Sequence, residues 1–207
     1  VVEDFSIFYM NGESEGDIFT LYGIMIADGE AQLTELTTVT YGSHIAYDEV
    51  SELVYIVQSA GNFIDVFDPS TGTIDPGQRI MLNPALGSSV TAAAFNPEDG
   101  VLYVGRGPNS QIRGINLADG TSAEVASAPV SGGDIAFANG SLYLSTNEGG
   151  PSLYEVDLEA GTSSIIASLT GEQNNGLAVS DDNQLIYTGD NLNAVVKASV
   201  DGTTLDS

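Results

Sequence analysis

The chain has 207 residues, 42% of them apolar, which is enough for a substantial core, and it contains no cysteine, so it builds neither a disulfide framework nor a thiolate metal site. Four basic residues against 29 acidic ones give a formal net charge of −25, a surface that repels phosphate and makes nucleic acid and anionic membrane poor partners. No run of apolar residues reaches the roughly 18 needed for a spanning helix.

The start, VVEDFSIFYM, has no initiator Met and no basic n-region, so the chain is expected to be a mature, excised or partial one with any targeting signal outside it. FSIFYMNGESEG, IFTLYGIMIADGE and AQLTELTT then read as a second, third and fourth strand whose innermost partner is missing. From Ile45 onward a complete unit is legible: IAYDEVSELVYIVQSAGNFIDVFDPSTG. Ile45-Ala46-Tyr47 returns as Ala93-Ala94-Phe95, Ile135-Ala136-Phe137 and Leu177-Ala178-Val179, at intervals of about 48, 42 and 42 residues, the size of a four-stranded propeller blade. The second strand returns in step as LVYIVQS, VLYVGRG, SLYLSTN and LIYTGDN, each with a tyrosine third: Tyr55, Tyr103, Tyr143 and Tyr187. Third strands follow, ending in Gly- and Thr-containing turns.

Alternating Val, Ile and Tyr between Asp, Asn, Ser and Gly clusters is the pattern of short antiparallel strands, and Gly or Pro breaks every helical window. The fold class is therefore all-β: a β-propeller of four-stranded antiparallel blades, about 4.5 to 5 of them, as a single domain over 1–207 or a segment of a larger propeller. The approximate blades are 1–38 (partial), 39–82, 83–127, 128–169 and 170–207 (partial, three strands). The long interval, of about 48 residues, comes from DPGQRIMLNPALGSS, whose two prolines mark a loop. The small residue of each first strand, Ala46, Ala94, Ala136 or Ala178, suits the innermost position, where blades converge.

Residues just before the innermost strands line the channel mouth of a propeller. The aligned positions are His44, Ala92, Asp134 and Gly176, with Asn174 and Asn175 before the last. His44 is the single histidine and would have to serve any Ser-His-Asp triad, yet no Gly-x-Ser-x-Gly elbow accompanies it; the alternative is a partly buried turn histidine satisfied by backbone. The acidic turns 180–183 and 13–17 lack the spacing of an EF-hand loop.

LVYIVQSAGNFIDVFDPSTGTI and LIYTGDNLNAVVKASVDGTT resemble the YVTN-type β-propeller repeat of secreted and cell-surface proteins. That resemblance implies an extracellular or cell-surface location. NNGLAVSDDNQLIYTGD resembles the segment of the gluconolactonase and regucalcin family in which an Asn-Gly-Leu at the channel carries a metal-ligating asparagine. This second resemblance implies Asn175 as a metal ligand, with Asp134 its neighbour, for Ca²⁺ or another divalent cation held by oxygen donors; the alternative is a turn asparagine.

With no complete catalytic constellation, the sequence points to a non-enzymatic binding or adhesion module that engages a protein, a glycan or a neighbouring subunit. The alternatives are a metal-dependent lactonase-like hydrolase and a spacer in a surface filament. Fold alone does not separate them.

Overall fold

The structure, a computed structural model, describes residues 7–12, 18–27, 30–58, 62–87, 90–107, 110–129, 133–169, 174–179, 184–189, 195–199 and 204–206. These form five antiparallel sheets, the blades of a β-propeller. The first is a three-stranded meander of β1 (Ile7–Gly12), β2 (Ile18–Ala27) and β3 (Glu30–Thr40). The second runs β4 (Gly42–Asp48), β5 (Leu53–Gln58), β6 (Phe63–Asp68) and β7 (Thr73–Ile74), with β8 (Ile80–Met81) also pairing with β6. The third has β9 (Val90–Asn96), β10 (Val101–Arg106), β11 (Gln111–Asn116) and β12 (Ser122–Ser127). The fourth has β13 (Ile135–Ala138), β14 (Ser141–Thr146), β15 (Ser152–Asp157) and β16 (Thr162–Ser168). The fifth comprises β17 (Asn174–Val179), β18 (Leu185–Gly189), β19 (Val195–Ala198) and β20 (Thr204–Asp206). It thus carries a fourth strand where the sequence pattern predicts three.

Second strands are buried on both faces, which is why they read as near-continuous apolar runs: Val54 to Gln58 and Leu102 to Val104 are all buried. Each blade is roofed by the next. One cluster joins Tyr55, Val57 and Ile64 to Ala93, Leu102 and Val104; the next joins Tyr103 and Ile112 to Ile135 and Leu144; a third joins Tyr143 and Leu153 to Leu177 and Leu185. Leu21 and Val39 of the first sheet meet Val54, Ile56 and Phe67 of the second. Among the described residues no such cluster joins the fifth sheet to the first.

The repeated tyrosines have a common register and a common neighbour. Tyr55 lies opposite Ala46, Tyr103 opposite Ala94 and Tyr143 opposite Ala136, so each ring shares a face with a small inner-strand residue. The following blade then sets an aromatic ring against it: Tyr55 meets Phe95 at 5.6 Å between centroids and Tyr103 meets Phe137 at 5.2 Å. Phe8 meets Tyr47 at 5.0 Å in the same way, so β1 holds the second-strand place in a blade that has no innermost strand among the described residues. Such tilted pairs add about 0.5–1.5 kcal/mol each beyond area burial.

Two expectations change. In the fifth sheet Tyr187 pairs with Leu177, and Ala178 pairs with Ile186. Residues 180–184 separate the final pair Val179 and Leu185, one more than the 49–52 and 97–100 that separate the corresponding pairs. A one-residue difference moves the register to the other face, and Ala178 is exposed where Ala46, Ala94 and Ala136 are buried.

The proline-containing insertion is not a plain loop. Asp75 caps a single 3-10 turn (Pro76–Gln78) by accepting from the Gly77 amide at 2.8 Å, β8 adds to β6, and Leu82 and Leu86 are buried between the second and third blades. Arg79 donates to buried Asp65 at 2.8 Å, and its guanidinium carbon lies 3.8 Å from the centroid of Phe63. Gly120, at φ 72°, admits the strap: a Cβ there would stand 1.9 Å from the Met81 carbonyl oxygen. Apolar area under a proline-broken stretch is what turns it into a packed strap rather than a free excursion.

Candidate functional site

The innermost strands β4, β9, β13 and β17 enclose a cavity of about 860 Å³, the central channel. Its walls are the small and aliphatic residues of those strands, Ala46, Ala93, Ala94 and Ile135 among them. Asp134 stands where β13 begins; Tyr47, Phe95 and Phe137 stand at the opposite end, where each inner strand turns toward the second strand of its blade.

The Asp134 end is a set of hydrogen bonds between blades. The Asp134 carboxylate accepts from the Ile135 amide at 2.9 Å, from the Leu177 amide of the fifth blade at 3.4 Å, and from the Ala93 amide of the third. Its own amide donates to Ser145 Oγ at 3.0 Å, and the Ser145 amide donates to the Asp134 carbonyl at 2.9 Å. Gly133 makes this approach possible, since a Cβ on it would lie 1.8 Å from the Ser145 carbonyl oxygen. Part of Asp134 faces the channel, but its carboxyl is crowded by neighbours, and desolvation pushes its pKa up to about 7 against the lowering effect of three amide donors. His44, at the matching place in the second blade, donates to the Val90 carbonyl of the third; burial pushes its pKa down to about 4, so the imidazole is neutral at pH 7. Both side chains thus fasten an inner strand to the backbone of an adjacent blade. The sequence nominates these positions for chemistry, and the structure gives them amide and carbonyl partners.

Backbone bulges mark the same end. The register breaks between Gly42 and His44 in β4, at the start of β9 between Val90 and Ala92, and between Asn174 and Gly176 in β17. Asn175 therefore occupies the bulge of β17 as Ser43 and Thr91 do in theirs, and bulges at such places re-aim side chains. The side chains of Asn174 and Asn175 lie outside the described residues. The Asp134 oxygens take amide N–H bonds, and among the described residues no group of three or more His, Cys, Asp or Glu converges.

The other end combines rings with free carboxylates. Tyr47 is 43% exposed, while Phe95 and Phe137 are half-buried and braced from behind by Tyr55 and Tyr103. The hairpins beside them are closed by their own side chains: Asp48 accepts from the Val50 amide at 2.9 Å, Asn96 from the Glu98 amide at 3.1 Å, and Asp99 from the Tyr103 hydroxyl at 2.7 Å. The carboxylates of Glu49 and Glu98, both exposed and both lining this end of the channel, have no hydrogen-bond or ion-pair partner among the described residues. The arginines are engaged elsewhere: Arg79 with Asp65, Arg106 with Gln111 at 3.4 Å, and Arg113 with the Ser122 carbonyl at 2.8 Å. The sequence signal for this end was the third position of the inner-strand triplet, aromatic in Tyr47, Phe95 and Phe137 but Val179 in the last copy; attention to the residues before each strand passes over it.

A search of curated proteins returns no match. Among solved structures the chain is similar to one in the nidogen/laminin complex, with a TM-score of 0.70 and 14% identity over 91% of this chain and 74% of that one. It is also similar to a structural genomics protein of unknown function from Bacteroides thetaiotaomicron VPI-5482 (TM-score 0.63, 16% identity, 92% of this chain and 53% of that one). A streptogramin B lyase gives a TM-score of 0.59 and 18% identity over 80% of this chain and 54% of that one. The chain spans about half the length of these last two, and at such identities the likeness is one of fold, the β-propeller. The family described as "Repeat of unknown function (DUF6923)" matches residues 8–205, and the chain belongs to it.

Proposed function

We propose that this chain is a non-enzymatic binding module of a secreted or cell-surface protein, of the YVTN-repeat kind, and that it engages a protein partner through the hairpin face around the channel mouth. The observation that carries the reading is that face itself. Tyr47 is 43% exposed at the channel and Val50 78% exposed on the hairpin that follows it, near the Glu49 and Glu98 carboxylates, which have no partner among the described residues, and exposed apolar groups among polar ones mark interaction sites. The likeness to a chain of the nidogen/laminin complex supports a propeller whose work is association. The test is an array of folded protein domains and glycans probed with the purified chain. Saturable binding to a protein domain, reduced by Val50→Asp, is the expected result; binding that Val50→Asp leaves intact, or none alongside turnover of a lactone, overturns the reading.

One observation favours a hydrolase as the second reading: a channel carboxyl, Asp134, with its pKa pushed up to about 7, the range suited to general acid-base work. In that reading Asn175 and Asp134 would hold a divalent cation. Calcium or manganese titration of the chain decides it, because undiminished metal affinity in Asn175→Ala removes its basis.

A further inference from the structure

We infer that the channel mouth is a receptor for a lysine or arginine side chain carried by the protein partner. The inference rests on the binding-module reading above and specifies the chemistry of that partner.

Three features converge. The first is shape: about 860 Å³ of cavity opens between the inner strands, within the range of pockets that swallow a side chain or small ligand. The second is the aromatic wall. Tyr47, Phe95 and Phe137 are contributed by three consecutive blades at one level; Phe8, which also lines the cavity, stands beside Tyr47 at 5.0 Å, and Tyr55 and Tyr103 stand behind the two phenylalanines at 5.6 and 5.2 Å. A ring wedged by a second ring keeps its orientation and gives up little rotamer freedom on binding, which is how preorganised sites gain affinity. The third is charge. The Glu49 and Glu98 carboxylates flank the rings without partners among the described residues, and Glu98 reaches across to the neighbouring blade, its Oε2 lying 3.7 Å from where a Cβ on Gly140 would stand. Each arginine bonds to Asp65, Gln111 or Ser122, none of which lines the mouth.

A cation with an aliphatic stem satisfies all three at once. Its charged head sits against the ring faces, its methylenes run along the same rings toward the partner, and the glutamates supply the counter-charge. A neutral apolar side chain would leave two carboxylates beside a dry contact with nothing to offset their desolvation. An acidic partner would meet repulsion from a chain of net charge −25.

The test must separate this site from general polyanion attraction. A capped peptide with two lysines is titrated into the chain at 0.15 M salt, beside the same peptide with norleucine at both positions and beside spermidine. Glu49→Gln/Glu98→Gln is expected to weaken the lysine peptide by about tenfold or more, and Tyr47→Leu, which changes no charge, by about threefold. The control Glu30→Gln/Glu159→Gln removes the same charge from exposed positions elsewhere and is expected to stay within about twofold of the parent. Equal losses in the two double variants, no effect of Tyr47→Leu, or spermidine binding as tightly as the peptide each overturn the inference. A chain that captures a protein domain in the array yet ignores the lysine peptide overturns this inference alone; a chain that takes the peptide and captures no domain overturns the binding-module reading.

Discussion

The carboxyl of Asp134 makes a prediction whose sign is opposite to that of Asp68 and Asp119, whose pKa values the fold lowers. Burial holds it from its ordinary 3.8 up to about 7 in the folded chain. Between those values the folded state keeps a proton that the unfolded state has released. Its contribution to stability is therefore fully present below pH 3.8 and is lost as pH rises through about 7. The loss is about 1.4 kcal/mol per pH unit, or up to about 4 kcal/mol across the window. Asp134→Asn is nearly isosteric and cannot titrate; its one oxygen keeps the Ile135 or the Leu177 amide, which bond to different carboxylate oxygens, and its Nδ2 forgoes the other at every pH. Urea unfolding of both proteins from pH 4 to pH 8 measures the difference, and comparing the two cancels the repulsion common to the other carboxylates. The expected result is near-equality or a small deficit for the variant at pH 4, then a growing advantage for the variant up to pH 8. Parallel profiles would refute the reasoning, because they would mean that the Asp134 carboxylate is as well solvated in the fold as in the unfolded chain.

Other changes follow from the packing. Gly120→Ala combines a left-handed backbone at φ 72° with a clash against the Met81 carbonyl and is expected to cost about 2 kcal/mol or more in urea unfolding, whereas Gly100→Ala, at φ 69° in open space, should cost only about 1 kcal/mol. Arg79→Ala removes the partner of buried Asp65, leaving Gln58 Nε2 at 2.8 Å as its donor, and uncovers Phe63; because Arg79 is partly exposed, the expected loss is about 2 kcal/mol rather than the full cost of orphaning a buried charge. Tyr103→Phe deletes the 2.7 Å bond to Asp99 while keeping the ring against Phe137, so thermal unfolding should register a loss of about 1 kcal/mol.

The fold was legible because a propeller repeats its packing problem. The same strand is buried on both faces in the second, third and fourth blades, so Tyr55, Tyr103 and Tyr143 recur at one offset opposite alanine. Where one copy departs, the sequence misleads: one added residue in the last hairpin moves Tyr187 opposite Leu177, and counting from the triplet cannot show a register that hydrogen bonds decide. The insertion misleads for a related reason, since its prolines speak for a loop while the burial of Leu82 and Leu86 depends on a space between two blades that no local pattern describes. At the channel, the repeat singles out His44 and Asp134 by their place before the inner strands. Their partners, Val90, Ala93 and Leu177, lie in adjacent blades, and only the closure of inner strands side by side brings those backbone groups within reach. The aromatic mouth was written in the sequence as Tyr47, Phe95 and Phe137, but the rings behind them become visible as supports only once consecutive blades are stacked.

The most direct test of the account is a hydrogen-exchange footprint of the chain bound to a protein domain that it captures. Protection concentrated at 47–52, 95–100 and 137–140, with the outer strands β3, β12 and β16 unchanged, is the predicted result. Protection confined to those outer strands would place the partner on the rim of the propeller and contradict a binding face at the channel mouth.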